Sequence, residues 1–501
     1  MPLAAPLLRP WAPPVPAERP VRFRALAWAS GLLAVLTVAR LVVEALTRTR
    51  LLLDHPSGAW ATLADDLLHG TFYRPVESAL GWGGTRYPPL YPLLYAGTAR
   101  LVGSLPTAAE LLELLSLLVV VGSTFLLLER LGVRRQLALP GALVVLALVP
   151  VQALLGLGKA DLLASALSLS GLALAVREER PRDEVLVALL FALAVLTKWT
   201  VVGGLLAWVT HAWVGGRRRR ALLRAALVTG VLLTGITAAQ LASGGRMLLQ
   251  LRACATGGSD AEQVLTAPLK LLQNADGADL ALLLLAAGAL AAAPRGTWRT
   301  LPVLAFLWTA ICLLVTFTST GIAENHFLDL TVLALVTFLM LLERGVVPLR
   351  FGAVVLPLYT VVTVTRFSSE VVEALQSPRP AELLAMVGPP AEGPMFAENP
   401  WFALLAGERP VLADAFTFRV LALKDPELMQ HLTRDLEKRR FRTVVLRWPA
   451  DTVDGRGWYA GTHFGPGFVD ALTRSYVRVA RFRTKPRPYW THDLWRPARA
   501  P

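Results

Sequence analysis

The sequence predicts a mainly α-helical, polytopic membrane protein, a bundle of about eleven apolar spans followed by a small soluble α/β domain. Three observations carry this. The 501 residues are 54% hydrophobic with a mean hydropathy of +0.51, which puts most of the chain in the membrane class. Apolar runs long enough to cross a bilayer recur up to about residue 366. The basic residues fall between those runs, as topology signals do. That placement decides the meaning of the net charge of +14 and pI near 10.4. Spread over a nucleic-acid face they would indicate that partner; here the expected partner is the lipid bilayer, with no nucleic acid.

Residues 1–24 are Pro-rich and carry Arg9, Arg19, Arg22 and Arg24, and the run 25–46 is too long for a cleaved signal. It reads as an uncleaved anchor with the N-terminal tail in the cytoplasm. Further spans are expected near 107–128, 136–156, 160–176, 184–197, 199–214, 221–242, 278–293, 300–318, 326–342 and 350–366. The run Tyr87 to Val102 is apolar too, but Pro88, Pro89 and Pro92 interrupt it. Laid along the interface, it leaves Arg130/Arg134/Arg135, the 177–182 group, Arg217–Arg220 with Arg224, Arg295/Arg299 and Arg344/Arg350 all cytoplasmic. Arg48 and Arg50 run against the rule. The outer face then receives 47–106, the turn 157–161, the turn at Lys198, the loop 243–277, the turn 318–326 and everything after about 367. The expected organisation is a tail (1–24), a transmembrane domain (25–370) and an extracytoplasmic α/β domain (371–501) on a bacterial-type inner membrane. In that last part Val411–Ala413 and Thr443–Leu446 read as buried strands and Pro426–Arg439 as a helix.

Chemistry-bearing residues concentrate on the outer face. Trp60, Leu63, Ala64, Leu67 and Leu68 make one helical stripe that leaves Asp65, Asp66 and His69 toward water or a cleft, and Gly70 ends the helix. Asp54, before His55-Pro56, is either a helix cap or a carboxylate general base. Asp65 and Asp66 are either a solvated face or catalytic. The aromatics Phe72, Tyr73, Trp82, Tyr87, Tyr91 and Tyr95 suit the headgroup level or a sugar-stacking surface. Of 50 basic residues only six are lysine, and two of these, Lys159 in GLGKADLL before Asp161 and Lys198 in LTKWT, end spans on the outer side. They either snorkel to water or hold an anionic ligand such as a lipid phosphate. Arg86 in GGTRYPPL is a third outer cation, beside glycines that allow close backbone approach. Glu324 and His326 begin the tenth span, with helix capping as the plainest role. No second His or Cys keeps ligand-like spacing with His326, so no metal ligand set is assigned and a divalent ion is left open. No cofactor is expected, since there is neither a Walker-type loop nor a GxGxxG. Cys254 and Cys312 lie in settings too different to pair.

This pattern resembles the GT-C superfamily of polyprenyl-phosphate-dependent glycosyltransferases, particularly protein O-mannosyltransferases and lipid A aminoarabinose transferases. The resemblance rests on a signal-anchor first span, a large outer first loop with an acidic residue near its start, a juxtamembrane helix ending at Gly70, the run Arg86-Tyr87-Pro88-Pro89-Leu90 and a lysine at an outer helix end, Lys198. It implies sugar transfer from a polyprenyl phosphate to a lipid, glycan or protein acceptor, with inversion. Arg86, Lys159, Lys198 and His326 would hold the phosphate, Asp54 would take the acceptor proton, and Tyr87, Asp161 and Glu324 would contact substrate. The family's acidic pair before the glycine is missing, since 56–60 reads Pro-Ser-Gly-Ala-Trp. That ranks Asp54 first as base, Asp65 or Asp66 second, and a non-catalytic role third. A transporter or flippase of a lipid-linked substrate and a membrane scaffold are the other readings. Transporters place ionisable groups near the bilayer midplane, whereas these lie at span ends.

Overall fold

The computed structural model describes residues 23–48, 51, 54–177, 181–255, 261–319, 322–376, 380–388, 392–483 and 491–498. All but the last two residues of the expected N-terminal tail lie outside them. The helices of the first part are α1 (Arg24–Thr47), α2 (His55–Leu68), α3 (Leu90–Val102), α4 (Leu105–Arg130), α5 (Arg135–Leu143), α6 (Val149–Leu154), α7 (Asp161–Val176), α8 (Pro181–Thr197), α9 (Gly203–Val214), α10 (Arg218–Ala242), α11 (Arg246–Ala255), α12 (Ala261–Asn274), α13 (Gly277–Ala292), α14 (Leu301–Thr316), α15 (Leu328–Glu343) and α16 (Leu349–Gln376). Among the described residues five helices are long and apolar enough to cross a membrane: α1, α4, α10, Glu324–Glu343 and Leu349–Arg366. A sixth candidate is the bent pair formed by α12 and α13. The other apolar helices are shorter. α15, apolar on every side, is buried at the centre of the bundle.

Two expectations are corrected. The run 136–156 is not one helix. Pro140 lies inside α5, Leu148 is extended, and Pro150 sits in the first turn of α6, with a 3₁₀ turn between the two helices. Proline removes a backbone donor and crowds the preceding turn, so apolarity alone did not make a continuous span. The stretch 243–277, expected to be a loop, carries α11 and α12.

The last part contains α17 (Pro380–Ala385), α18 (Trp401–Leu405), α19 (Ala415–Ala422), α20 (Pro426–Glu437), α21 (Val453–Gly461) and α22 (Phe468–Ser475) around a four-stranded sheet. In chain order there are first two short strands between α2 and α3, β1 (Glu77–Ser78) and β2 (Gly81–Trp82), and then β3 (Met395–Ala397), β4 (Thr443–Leu446), β5 (Tyr476–Arg483) and β6 (Thr491–Pro497). The sheet order is β3-β4-β6-β5, with β3 parallel to β4 and β6 antiparallel to both neighbours. α20 buries the stripe Leu428, Leu432 and Leu436, as the periodicity predicts. β4 forms where expected. Val411–Ala413 does not become a named strand. It makes an isolated parallel bridge to Trp82, whose amide donates to the Val411 carbonyl (2.7 Å) while its carbonyl accepts from Ala413 (2.9 Å). The segment between α2 and α3 is thus stitched into the C-terminal sheet region, with Trp82 packed edge-on against Phe396 and Phe418.

Candidate active site

A cavity of about 700 Å³ lies where the C-terminal region meets the ends of the helices. Asp54, His55, Arg86 and Tyr87 come from the segment between α1 and α3. Lys159, Asp161, Lys198 and His326 come from helix ends, and Asp414, Arg447, Trp458 and His463 from the C-terminal region. The two lysines predicted as phosphate ligands therefore share one space with Arg86 and Asp54.

Local chemistry explains each position. Lys159 follows a turn held by Glu113, a buried carboxylate of α4 that accepts the amides of Gly156 (2.6 Å) and Gly158 (2.9 Å). Both glycines have positive φ, and at Gly158 a Cβ would lie 2.4 Å from that of Ala109. Only glycine fits there. The Tyr91 hydroxyl donates to the Gly158 carbonyl at 2.7 Å. Asp54 caps α2 by accepting from Ser57 N (3.3 Å) and also pairs with Lys159 (2.8 Å), so the cap and site readings both hold for its geometry. Lys198 pairs with Asp161, the first residue of α7, which also accepts from Asn325 Nδ2 at 2.6 Å. The Arg86 guanidinium lies 4.4 Å from the Phe416 ring centre, and Tyr87 stacks on Trp60 with centres 4.0 Å apart. Burial pushes the Tyr87 phenol above its ordinary range, with Asp414 adding to the effect, so it stays neutral.

Three predicted residues lie elsewhere. Asp66 is only 1% exposed and makes a bidentate pair with the buried Arg74 (2.6 Å) and a contact with Arg409 (2.9 Å). Asp65, also buried, lies 3.8 Å from Arg409 and 3.5 Å from His69. Neither lines the cavity. At Asp65 and Asp66 the face of α2 expected to meet water or a cleft is covered instead by Arg74 and by Arg409 of the C-terminal region. Burial is the main cause raising the Asp65 carboxyl above its usual range, and Asp66 adds to it. Glu324 is exposed and outside the cavity lining. Among the described residues no three His, Cys, Asp or Glu side chains group to hold a metal ion.

No family model and no curated protein sequence matches the chain. Solved structures do. ArnT from Cupriavidus metallidurans bound to undecaprenyl phosphate aligns with a TM-score of 0.54 over 92% of this chain and 97% of that one, at 12% identity. The Archaeoglobus fulgidus oligosaccharyltransferase in complex with Zn and sulfate gives 0.51 over 89% and 72%, at 14% identity. AglB from the same organism, with an inhibitory peptide and a dolichol-phosphate, gives 0.50 over 92% and 74%, at 14% identity. The fold is GT-C.

Within this GT-C frame, sequence reading missed the whole contribution of the C-terminal region. Asp414, Arg447, Trp458 and His463 reach the cavity only because α2 docks on the turn after β3. There Trp401 Nε1 donates to Ser57 Oγ (2.8 Å) and Gly58 leaves no room for a Cβ against Asn399. No local motif signals a contact between positions so far apart in the chain.

Proposed function

We propose that the protein is a membrane glycosyltransferase that moves a sugar from a polyprenyl-phosphate donor to a hydroxyl or amine acceptor on the outer face of the inner membrane, with inversion. The observation that carries this is the charge balance of that cavity. It is lined by four permanent cations, Arg86, Lys159, Lys198 and Arg447, against three carboxylates, Asp54, Asp161 and Asp414. The surplus of one positive charge matches the single negative charge of a phosphodiester, at the ends of apolar helices where a lipid-linked donor would present it. The solved structures of ArnT bound to undecaprenyl phosphate and of AglB in complex with a dolichol-phosphate fit the same donor class.

In this reading Arg86, Lys159 and Lys198, with His326 beside them, stabilise the charge that grows on the leaving phosphate. Tyr87 and Trp458 offer ring faces to a sugar. At rest Lys159 is neutralised by Asp54; an arriving phosphate competes for the lysine and frees Asp54 to orient the acceptor. The arrangement of about eleven spans, with basic loops in the cytoplasm and the α/β region outside, belongs to the same proposal.

The test is transfer of labelled sugar from polyprenyl phosphate to acceptor in membranes containing the protein. Asp54→Asn is expected to lower turnover by about 10² or more at equal expression; full activity removes Asp54 from the mechanism. Lys198→Ala is expected to weaken donor use more than Arg217→Ala, and equal effects would sink the phosphate site.

A further inference from the structure

Glu398, His463 and His55 meet at the wall of the cavity where α2 touches the C-terminal region, and the transfer chemistry above leaves them unused. Glu398 follows β3 and is 1% exposed. It accepts from His463 Nδ1 (2.6 Å), the Arg447 amide (2.6 Å), Tyr459 Oη (3.0 Å) and Trp458 Nε1 (3.1 Å). Burial alone would raise its carboxyl; the hydrogen bond from His463, with the other donors, outweighs that and holds it at about 2. A carboxylate accepting at Nδ1 places the His463 proton there and leaves Nε2 as an acceptor. Among the described residues that Nε2 has no hydrogen-bond partner, although it is fully buried.

His55, the first residue of α2, has its ring centre 4.4 Å from that of His463, with the planes at 75°. Its Nδ1 is likewise buried without a partner among the described residues. Two unpartnered ring nitrogens, on touching rings, sit beside a cavity that both residues line. The titratable and charged groups facing His55 are Asp54, Lys159, Arg86, Arg447 and His463; those facing His463 are Glu398 and His55, with the Trp458 ring against it. Burial first, and then the cations Arg447, Lys159 and Arg86 around it, push His55 well below its ordinary value. His463, unlike His55, is hydrogen-bonded to a carboxylate.

We propose that His55, His463 and Glu398 form a proton relay for the transfer. His55 takes the acceptor's proton at Nε2 and passes its Nδ1 proton to His463 Nε2. Meanwhile the acceptor oxygen bonds the anomeric carbon, and the bond from that carbon to the phosphate oxygen breaks with its electron pair on the phosphate. The positive charge comes to rest on the His463 imidazolium against Glu398, and the proton leaves to water with the product. Rings of this kind tighten their hydrogen bonds only when substrate is bound. His55 is the catalytic residue, and His463 and Glu398 position it and carry the charge. This deepens the glycosyltransferase reading and rests on it.

The test uses the full chain in membranes, with labelled polyprenyl-phosphate sugar as donor and free imidazole as a rescue agent. His55→Ala is expected to lower kcat about a hundredfold with donor KM unchanged. Added imidazole should restore turnover, with the acid limb of the pH profile moving to that of imidazole. Glu398→Gln should lower kcat and shift the same limb. If His463→Ala does not fold, His55→Ala and its rescue decide the matter alone. Unchanged kcat in His55→Ala beside an active wild type, or lost kcat that imidazole fails to restore, overturns the relay and leaves the transferase reading standing. A wild type inactive on every polyprenyl-phosphate sugar overturns both.

Discussion

Two aspartates at either end of one helix show how burial decides a role that residue type leaves open. Asp54, the extended N-cap of α2, lines the cavity, while Asp66, on a face that reads as solvated, is enclosed with Arg74 and Arg409. Removing one partner of a buried pair leaves the other charge uncompensated, at a cost of about 3–5 kcal/mol. Asp66→Ala is therefore expected to lower the Tm in detergent and the yield, with kcat per folded molecule nearly unchanged; a normal Tm with lost kcat would return Asp66 to the catalytic list. The imidazole and the carboxylate of the relay also give stability a pH dependence. His55 is lowered below its ordinary 6.5 and Glu398 from 4.5 to about 2. In both cases the unfolded chain binds protons first as pH falls, so stability is full above 6.5, declines below it as His55 is called on to charge, and declines further between 4.5 and about 2. Thermal unfolding across pH should show the upper decline in the wild type and a flatter one in His55→Gln. A wild-type Tm that rises on acidification from 7 to 5 would contradict the burial of a neutral His55.

Elements were legible where one period runs unbroken. α4, α7, α10 and α15 form within a few residues of the apolar runs that predict them, since a helix in lipid must satisfy its own backbone. The 136–156 run failed because hydropathy does not register Pro140 and Pro150 as breaks. Val411–Ala413 failed because its partner is the hairpin strand β2, far away in the chain. The turn before α7 is the element on which the phosphate site depends most. Gly158 has φ +65°, and its Cβ would meet Ala109 at 2.4 Å. Gly158→Ala is expected to strain the turn by about 1–3 kcal/mol, shift Lys159 and raise donor KM several-fold with little loss of expression. An unchanged KM would show that Lys159 does not need the Glu113-held turn.

At the scale of the whole molecule, the site is assembled from three parts of the chain that no local pattern links. The segment between α1 and α3 supplies Asp54, His55 and Arg86, the helix ends supply Lys159 and Lys198, and the C-terminal region closes the space with Arg447, Trp458 and His463. Asp54, Arg86, Lys159 and Lys198 stood out in the sequence as charges beside apolar runs or glycines, whereas His55 read only as a neighbour of Asp54 before Pro56. The third stayed hidden because His463 and Arg447 act only through tertiary contact. This assembly makes orientation testable as a single question, since all three parts must face the same side. A reporter fused after Arg220 is expected to read cytoplasmic and one after Pro501 external. Trp82 is the bolt of the assembly, fully buried between the hairpin and the C-terminal core. Trp82→Ala should cost about 3–5 kcal/mol of packing there. Because the hairpin and α2 belong to one segment, the loss is expected to loosen the contact between His55 and His463 as well, so that protease nicking of the C-terminal region and loss of turnover appear together. Turnover that survives full release of the C-terminal region would place the chemistry on the helix ends alone.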